Sequence, residues 1–180
     1  MLSRLLIVTD AIDWLTEQVG QSLKWLVLFS TLICAGNALV RYTLHQSSNA
    51  WLEIQWYMFG AMFLLAAGYA LKYEEHVRVD IFFSRMSPKM QAWVDVIGGI
   101  LFLLPMAIII VWLSIPMVTN SIRSWEYSSD PGGLLRWPIK IVIPLGFFLL
   151  ALQGIAEIIK KLAVALGSRD PGKAYERPVQ

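Results

Sequence analysis

The sequence is poor in the residues that build most catalytic and metal sites. It contains a single cysteine, Cys34, and two histidines, His45 and His76. One cysteine excludes a disulfide framework and a thiolate metal cluster. Haem ligation in a membrane helix bundle needs histidines inside the apolar segments, and both histidines fall in predicted loops. HExxH, GxSxG, P-loop and CxxC motifs are missing too, so the sequence disfavours an enzyme and predicts no cofactor.

Charged residues are also scarce. They make up 16% of the 180 residues, whereas 57% are hydrophobic. A soluble domain of this size carries about a quarter charged residues. The net charge of +2 is too small to suggest a nucleic-acid partner. The composition therefore predicts an all-α integral membrane protein that has lipid as a partner.

Residues 1–180 are predicted to form one membrane domain built from apolar helices. The run from residue 54 to residue 71 carries no charge, which is about the length a helix needs to cross a bilayer core. Three further runs are also long, apolar and uncharged. We predict four transmembrane helices, at about 23–43, 51–72, 96–119 and 138–160.

The flanking segments carry their own signals. Ser87 followed by Pro88 predicts a helix start, and Gly98-Gly99 and the prolines at 105 and 116 predict bends or an early end in the third helix. The polar tail at 167–180, with two prolines, is predicted to be flexible.

The first 21 residues predict a separate amphipathic helix at the membrane interface. Its apolar residues recur at three- and four-residue spacing: Leu5, Val8, Ile12, Leu15 and Val19. Asp10, Asp13 and Glu17 lie elsewhere on the helical wheel. Because this polar face is acidic, we expect it to pack along another protein rather than to be attracted to anionic lipid.

The distribution of Lys and Arg predicts the topology. Four spans place both termini on one side of the membrane. Eleven of the fifteen Lys and Arg residues lie on that side, and four lie on the other: Arg41, Arg123, Arg136 and Lys140. The positive-inside rule therefore predicts cytoplasmic termini.

Glu53 is the acidic residue nearest to a predicted span interior. One hypothesis makes it the proton site of a stand-alone, proton-coupled transporter. The interpretation that we favour makes it a charge partner of Arg41 at the end of the first span. Asn37 lies one helical turn before Arg41, on the same face.

Two further segments carry candidate interface residues. The alternating residues His76, Arg78 and Asp80 form either a docking element or a turn satisfied by its own charges. The loop at 123–137 holds a strong turn signal at 130–133. It is either an ordinary turn or a partner-facing surface, whose candidate residues are Arg123, Glu126, Asp130, Gly132, Gly133 and Arg136.

These motifs together resemble one family. Glu53, the uncharged run after it and the sequence HVRVD at 76–80 look like the small membrane subunit, the DctQ-like small permease, of tripartite ATP-independent periplasmic (TRAP) transporters. The Asn37 to Arg41 ending of the first span is similar as well. The stretch 125–146 resembles a subgroup associated with mannitol, chloroaromatic or 2-oxo acid substrates, although Leu135 stands where that subgroup has proline.

The resemblance implies a function that composition and spacing do not show. The chain would be a scaffold subunit in the bacterial inner membrane that braces a large polytopic permease subunit. That complex would import a small organic acid, coupled to an ion such as sodium. A periplasmic solute-binding protein would deliver the solute and meet the loops at 41–50 and 123–137.

Overall fold

A computed structural model describes residues 2–46, 48–73 and 86–167, and the side-chain surroundings from Ile7 onward. The described part consists of five α-helices and one π-helical turn. Their bounds are α1 Leu2–Leu44, α2 Asn49–Lys72, α3 Pro88–Gly98, a π turn Gly99–Leu103, α4 Leu104–Arg123 and α5 Trp137–Ala165.

Four helical segments are long and apolar enough to cross a membrane by length and composition: Ile7–Leu44, Asn49–Lys72, Pro88–Arg123 and Trp137–Ala165. Each of the four predicted spans lies within one of them. The connections α1 to α2 and α4 to α5 lie at one end of the bundle, which we call the loop end. The opposite end, where α1 begins and α5 finishes, is the terminal end.

The predicted separate helix at 1–21 is not found, because α1 continues without a break from Leu2 to Leu44. The buried positions of its first half are Thr9, Thr16 and Leu23, at seven-residue spacing. This stripe faces the rest of the chain. Beyond Leu23 most side chains of α1 are exposed.

The third span is one helix with a local defect. Ser87 accepts a hydrogen bond from the Met90 N–H at 3.4 Å, which confirms the predicted helix start. At Gly99–Leu103 the backbone widens into a π turn, and the Leu104 N–H bonds to the Gly99 carbonyl. Pro105 follows directly and cannot donate a backbone hydrogen bond, so the proline and the π turn are combined at one place.

α5 is the central element, since it packs against α1, α2, α3 and α4. The buried side chains around it are small, such as Ala107 in α4 and Ala156 and Ala163 in α5. At Gly146 a Cβ atom would lie 2.7 Å from the Leu64 carbonyl oxygen of α2. Small residues let membrane helices approach closely, which increases their van der Waals contact.

Candidate functional site: two polar clusters at opposite ends of the bundle

The 124–136 loop, which joins α4 to α5, is a small closed hairpin. Tyr127 and Leu135 form an antiparallel bridge, and the Ser128 N–H donates to the Leu134 carbonyl at 2.9 Å. At its tip the Gly133 N–H donates to the Asp130 carbonyl at 3.0 Å. Pro131 and Gly132, with φ of +72° at Gly132, have the residue order of a type II turn. The predicted turn at 130–133 is confirmed.

Glu53 is buried beneath this loop, with only 3% of its surface exposed. Its carboxylate accepts a hydrogen bond from the Leu134 N–H at 2.6 Å and another from the Ser128 hydroxyl. The Arg136 guanidinium lies 3.4 Å from the same carboxylate. We call these four residues the Glu53 cluster. A buried carboxylate requires such partners, because removing it from water without them is costly.

Arg136 connects the cluster to α2. Its guanidinium donates to the Ser128 hydroxyl at 2.9 Å and lies 5.2 Å from the centre of the Trp56 ring. A cation over an indole face adds an electrostatic attraction. Arg136 is therefore held by a carboxylate, a hydroxyl and an aromatic ring rather than projecting freely into solvent.

Gly133 is required by the cluster. A Cβ atom at this position would lie 2.4 Å from the Ser128 Cβ and 2.9 Å from a carboxylate oxygen of Glu53. Both distances are shorter than van der Waals contact, so any larger residue would push the loop away from Glu53.

Two further hydrogen bonds tie the same loop to the first turns of α2. The Tyr57 hydroxyl donates to the Leu135 carbonyl at 3.0 Å, and the Asn49 side-chain amide donates to the Pro131 carbonyl at 2.9 Å. The loop is thereby fastened at its base, its middle and its tip to a helix about 80 residues earlier in the chain.

The predicted Arg41–Glu53 pair is wrong. Arg41 lies near the end of α1 and is exposed, whereas Glu53 is paired with Arg136. Glu53 turns toward the 124–136 loop because that loop offers a backbone N–H, a hydroxyl and a guanidinium together. Asn37 is half-buried and lines a groove of about 300 Å³ with residues of α1 and Trp51. His76, Arg78 and Asp80 lie outside the described residues.

The six residues of the candidate docking surface divide into two groups. Arg123 and Asp130 are exposed, and Gly132 forms the exposed turn. Gly133 and Arg136 belong to, or pack on, the Glu53 cluster. Glu126 pairs with Lys140 of α5, and this hydrogen bond holds the pKa of Glu126 below its usual range. The sequence pattern did not distinguish exposed residues from internally paired ones.

Two aromatic residues of the loop are exposed instead. Trp125 is 64% exposed and Tyr127 is 65% exposed. The backbone of Trp125 has a φ of +46°. A bulky residue rarely adopts this left-handed conformation, which costs free energy that the surrounding structure must supply.

The second polar cluster lies at the terminal end. We call Asp13, Glu17, Lys72, Glu157 and Lys160 the lysine layer. Lys160 contacts Asp13 at 2.8 Å and Glu157 at 2.6 Å, and Lys72 contacts Glu17 at 2.6 Å. These ion pairs join α1 to α2 and α1 to α5. Asp13 and Glu17 of the acidic face of α1 therefore pair with lysines of their own chain, whereas Asp10 is exposed.

Uncharged side chains complete the lysine layer. Gln153 is fully buried; it donates to Asp13 at 2.9 Å and to Glu157 at 3.0 Å, and accepts from the Thr16 hydroxyl at 2.7 Å. Tyr73 donates to Glu17 at 2.7 Å, which raises the pKa of Tyr73 to about 12. The sequence analysis did not predict this cluster, although one residue indicated it: Gln153 is an amide inside the uncharged run 141–156, where a polar side chain needs a buried partner.

The two clusters lie one bilayer apart. Glu53 and Lys72 are separated along α2 by a helical rise of about 28 Å, close to the hydrocarbon thickness of about 30 Å. Between the clusters α2 carries no charged side chain, and α5 carries none from residue 141 to residue 156. Among the described residues, no group of three His, Cys, Asp or Glu side chains could hold a metal ion.

Long apolar helices with polar clusters at both ends define a multi-pass helical membrane protein. The family model of the DctQ component of tripartite ATP-independent periplasmic transporters matches residues 30–164. The match covers well over half of the chain, and the chain belongs to this family. It is thus a transport component and not a member of an enzyme family. No curated protein and no solved structure matches the chain.

Proposed function

We propose that the protein is the scaffold subunit of a TRAP solute importer, which braces the large permease subunit and helps to dock the solute-binding protein. The observation that carries this proposal is the family match over residues 30–164. Systems of this family combine a small component with a large permease and a substrate-binding protein.

The distribution of charge supports a bracing role. Transporters place ionisable residues near the bilayer midplane, where substrate and coupling ions bind. In α2 and α5 the charged residues lie only at the two ends. The solute and ion sites then lie in the large subunit.

The environment of Glu53 argues against the alternative, a stand-alone proton-coupled transporter. A carboxylate that exchanges protons during transport needs access to water. The carboxylate of Glu53 is 3% exposed and is engaged by Leu134, Ser128 and Arg136. Family membership also places the chain in a multi-subunit transporter.

The membrane topology, the solute and the coupling ion are inferred from the sequence. The excess of Lys and Arg at the terminal end supports cytoplasmic termini in a bacterial inner membrane. The loop end then faces the periplasm, where a solute-binding protein works. The stretch 125–146 supports a small organic acid as the solute, and the family resemblance supports sodium as the coupling ion.

Copurification tests this proposal. A tagged form of the chain, expressed with its neighbouring genes and extracted in mild detergent, should copurify with one large polytopic protein. Liposomes that contain the chain alone should show no uptake of organic acids, and liposomes with both membrane subunits should require the binding protein. Uptake by the chain alone would refute the scaffold role.

A further inference from the structure

The exposed part of the 124–136 loop has the composition of a contact surface. Trp, Tyr and Arg dominate the energetics of protein interfaces. The loop presents Trp125 and Tyr127, Arg123 precedes it at the end of α4, and all three residues are exposed. The exposed carboxylate of Asp130 lies at the turn, so the surface carries one charge of each sign beside two aromatic rings.

Glu53 holds this surface from beneath by hydrogen bonds. The carboxylate is bonded to Ser128 on one strand of the hairpin and to Leu134 on the other. Tyr127 directly precedes Ser128 in the sequence. Tyr127 also forms the antiparallel bridge with Leu135, which directly follows Leu134. A change in the cluster would therefore alter both strands at the point where the aromatic residues emerge.

The left-handed backbone of Trp125 depends on the same framework. The Trp125 N–H donates to the Ile122 carbonyl at 3.2 Å, and the Glu126 N–H donates to the Ser121 carbonyl at 3.1 Å. Further along, the Arg136 N–H donates to the Glu126 carbonyl at 2.8 Å. The strained residue is thus fixed between the end of α4 and the Glu53 cluster.

We propose that Glu53 is a positioning residue for docking: through Ser128, Leu134 and Arg136 it holds Trp125 and Tyr127 in the orientation that the solute-binding protein contacts. This inference rests on the proposed function. The occupant is a water-soluble protein rather than lipid headgroups alone, because the rings are presented by a loop fixed in shape, flanked by charges of both signs. Preorganised surfaces bind with a smaller loss of conformational freedom.

The test measures binding rather than uptake, since the solute is unidentified. The complex of small and large subunits is placed in nanodiscs and immobilised, and the purified binding protein encoded beside it is titrated. We expect Glu53→Gln to raise the Kd about tenfold or more, with an unchanged maximum of bound protein per complex. Trp125→Ala should raise the Kd at least as much, and Trp125→Phe should restore part of the affinity.

Trp14→Ala is the matched control, because Trp14 is a 65% exposed tryptophan of α1 at the terminal end, on the side opposite the loop. Its Kd should equal that of the wild type. Equal effects of Trp14→Ala and Trp125→Ala on the Kd would show that the loss of Trp125 acts through the membrane interface or the fold rather than through docking, and would overturn the proposal.

A structural role for Glu53 would give a different result. Glu53→Gln would then lower the amount of assembled complex while the Kd of the remaining complex stayed unchanged. If Glu53→Gln does not assemble, Ser128→Ala removes the shared hydroxyl more gently and must raise the Kd for the proposal to stand. A wild-type chain that fails to copurify with a large subunit would refute the proposed function itself, which the wild-type control reveals before any variant is tested.

Discussion

The two polar clusters use similar chemistry for different purposes. In the lysine layer, the pairs Lys72–Glu17 and Lys160–Asp13 join α1 to α2 and to α5, while Lys160–Glu157 lies within α5. In the Glu53 cluster, a single carboxylate binds a backbone N–H, a hydroxyl and a guanidinium of one loop. The first arrangement fixes how the helices pack, and the second fixes the shape of a surface.

The difference teaches that a charged residue near a membrane boundary has no single role. Ion pairs between helices resist separation of whole helices, so their loss lowers the stability of the entire bundle. A carboxylate under a loop stabilises a local structure, so its loss opens that loop first. Three substitutions can separate these roles, and their expected effects on global stability decrease from Lys160→Met through Glu53→Ala to Glu126→Gln.

Lys160→Met should cause the largest loss of global stability. Lys160 neutralises Asp13 and Glu157, and its removal leaves two carboxylates around the buried amide of Gln153. Breaking a buried pair costs about 3–5 kcal/mol; because Lys160 keeps some solvent exposure, we expect the free energy of unfolding to fall by about 2–3 kcal/mol. Detergent-based chemical unfolding measures this change.

Lys24→Met is the control for that experiment. Lys24 is an exposed lysine on α1 that donates a hydrogen bond of 3.4 Å to the side-chain oxygen of Gln21. Its substitution should change the free energy of unfolding by less than about 0.5 kcal/mol. Similar losses from the two lysines would show that the lysine layer has no special part in helix packing.

Glu53→Ala should open the 124–136 loop with a smaller effect on the whole bundle. Without the carboxylate, Arg136 loses its ion pair and the Leu134 N–H loses its acceptor. Trypsin should then cut after Arg136 about tenfold faster or more, because proteolysis follows the population of the locally open form. Peptide mass spectrometry measures the rate, and cleavage after the exposed Arg41 provides the internal reference. A parallel rise at both sites would mean global rather than local unfolding.

Glu126→Gln should have the smallest effect, and that effect should depend on pH. The hydrogen bond from Lys140 lowers the folded-state pKa of Glu126 below its ordinary value of 4.5. A lowered folded-state pKa means that the stabilisation is present above that ordinary value and is lost as the pH falls through the folded-state pKa. The difference in melting temperature between wild type and variant should be present at pH 7 and vanish in acid. A difference that grows in acid would contradict the assignment.

Much of the fold could be predicted from the sequence. The long uncharged runs predict the four long apolar helices, since a helix satisfies its backbone groups within the same segment, as an apolar solvent requires. Ser87 and Pro88 predict a helix start that the structure confirms. Asp130 to Gly133 predict a turn, because Pro131 and Gly132 have the conformational preferences that such a turn requires.

The pairing of charges could not be predicted in the same way. Arg41 and Glu53 are close in sequence and were expected to pair, yet the partner of Glu53 is Arg136. The acidic face of α1 was expected to meet another protein, yet Lys72 and Lys160 each pair with one of its three acidic residues within the chain. Sequence distance does not report which side of a helix faces which neighbour.

The sequence by itself determined the class and the number of long apolar helices, because length and hydrophobicity are properties of each segment alone, and its motifs carried the resemblance to the family. Only the tertiary structure decided what the charged residues do. Glu53 bonds to Ser128, 75 positions away, and Gln153 bonds to Asp13, 140 positions away, and such partners meet only after the helices have packed. For a buried polar group the available partners, rather than its position in a motif, determine whether it shapes a surface or joins two helices.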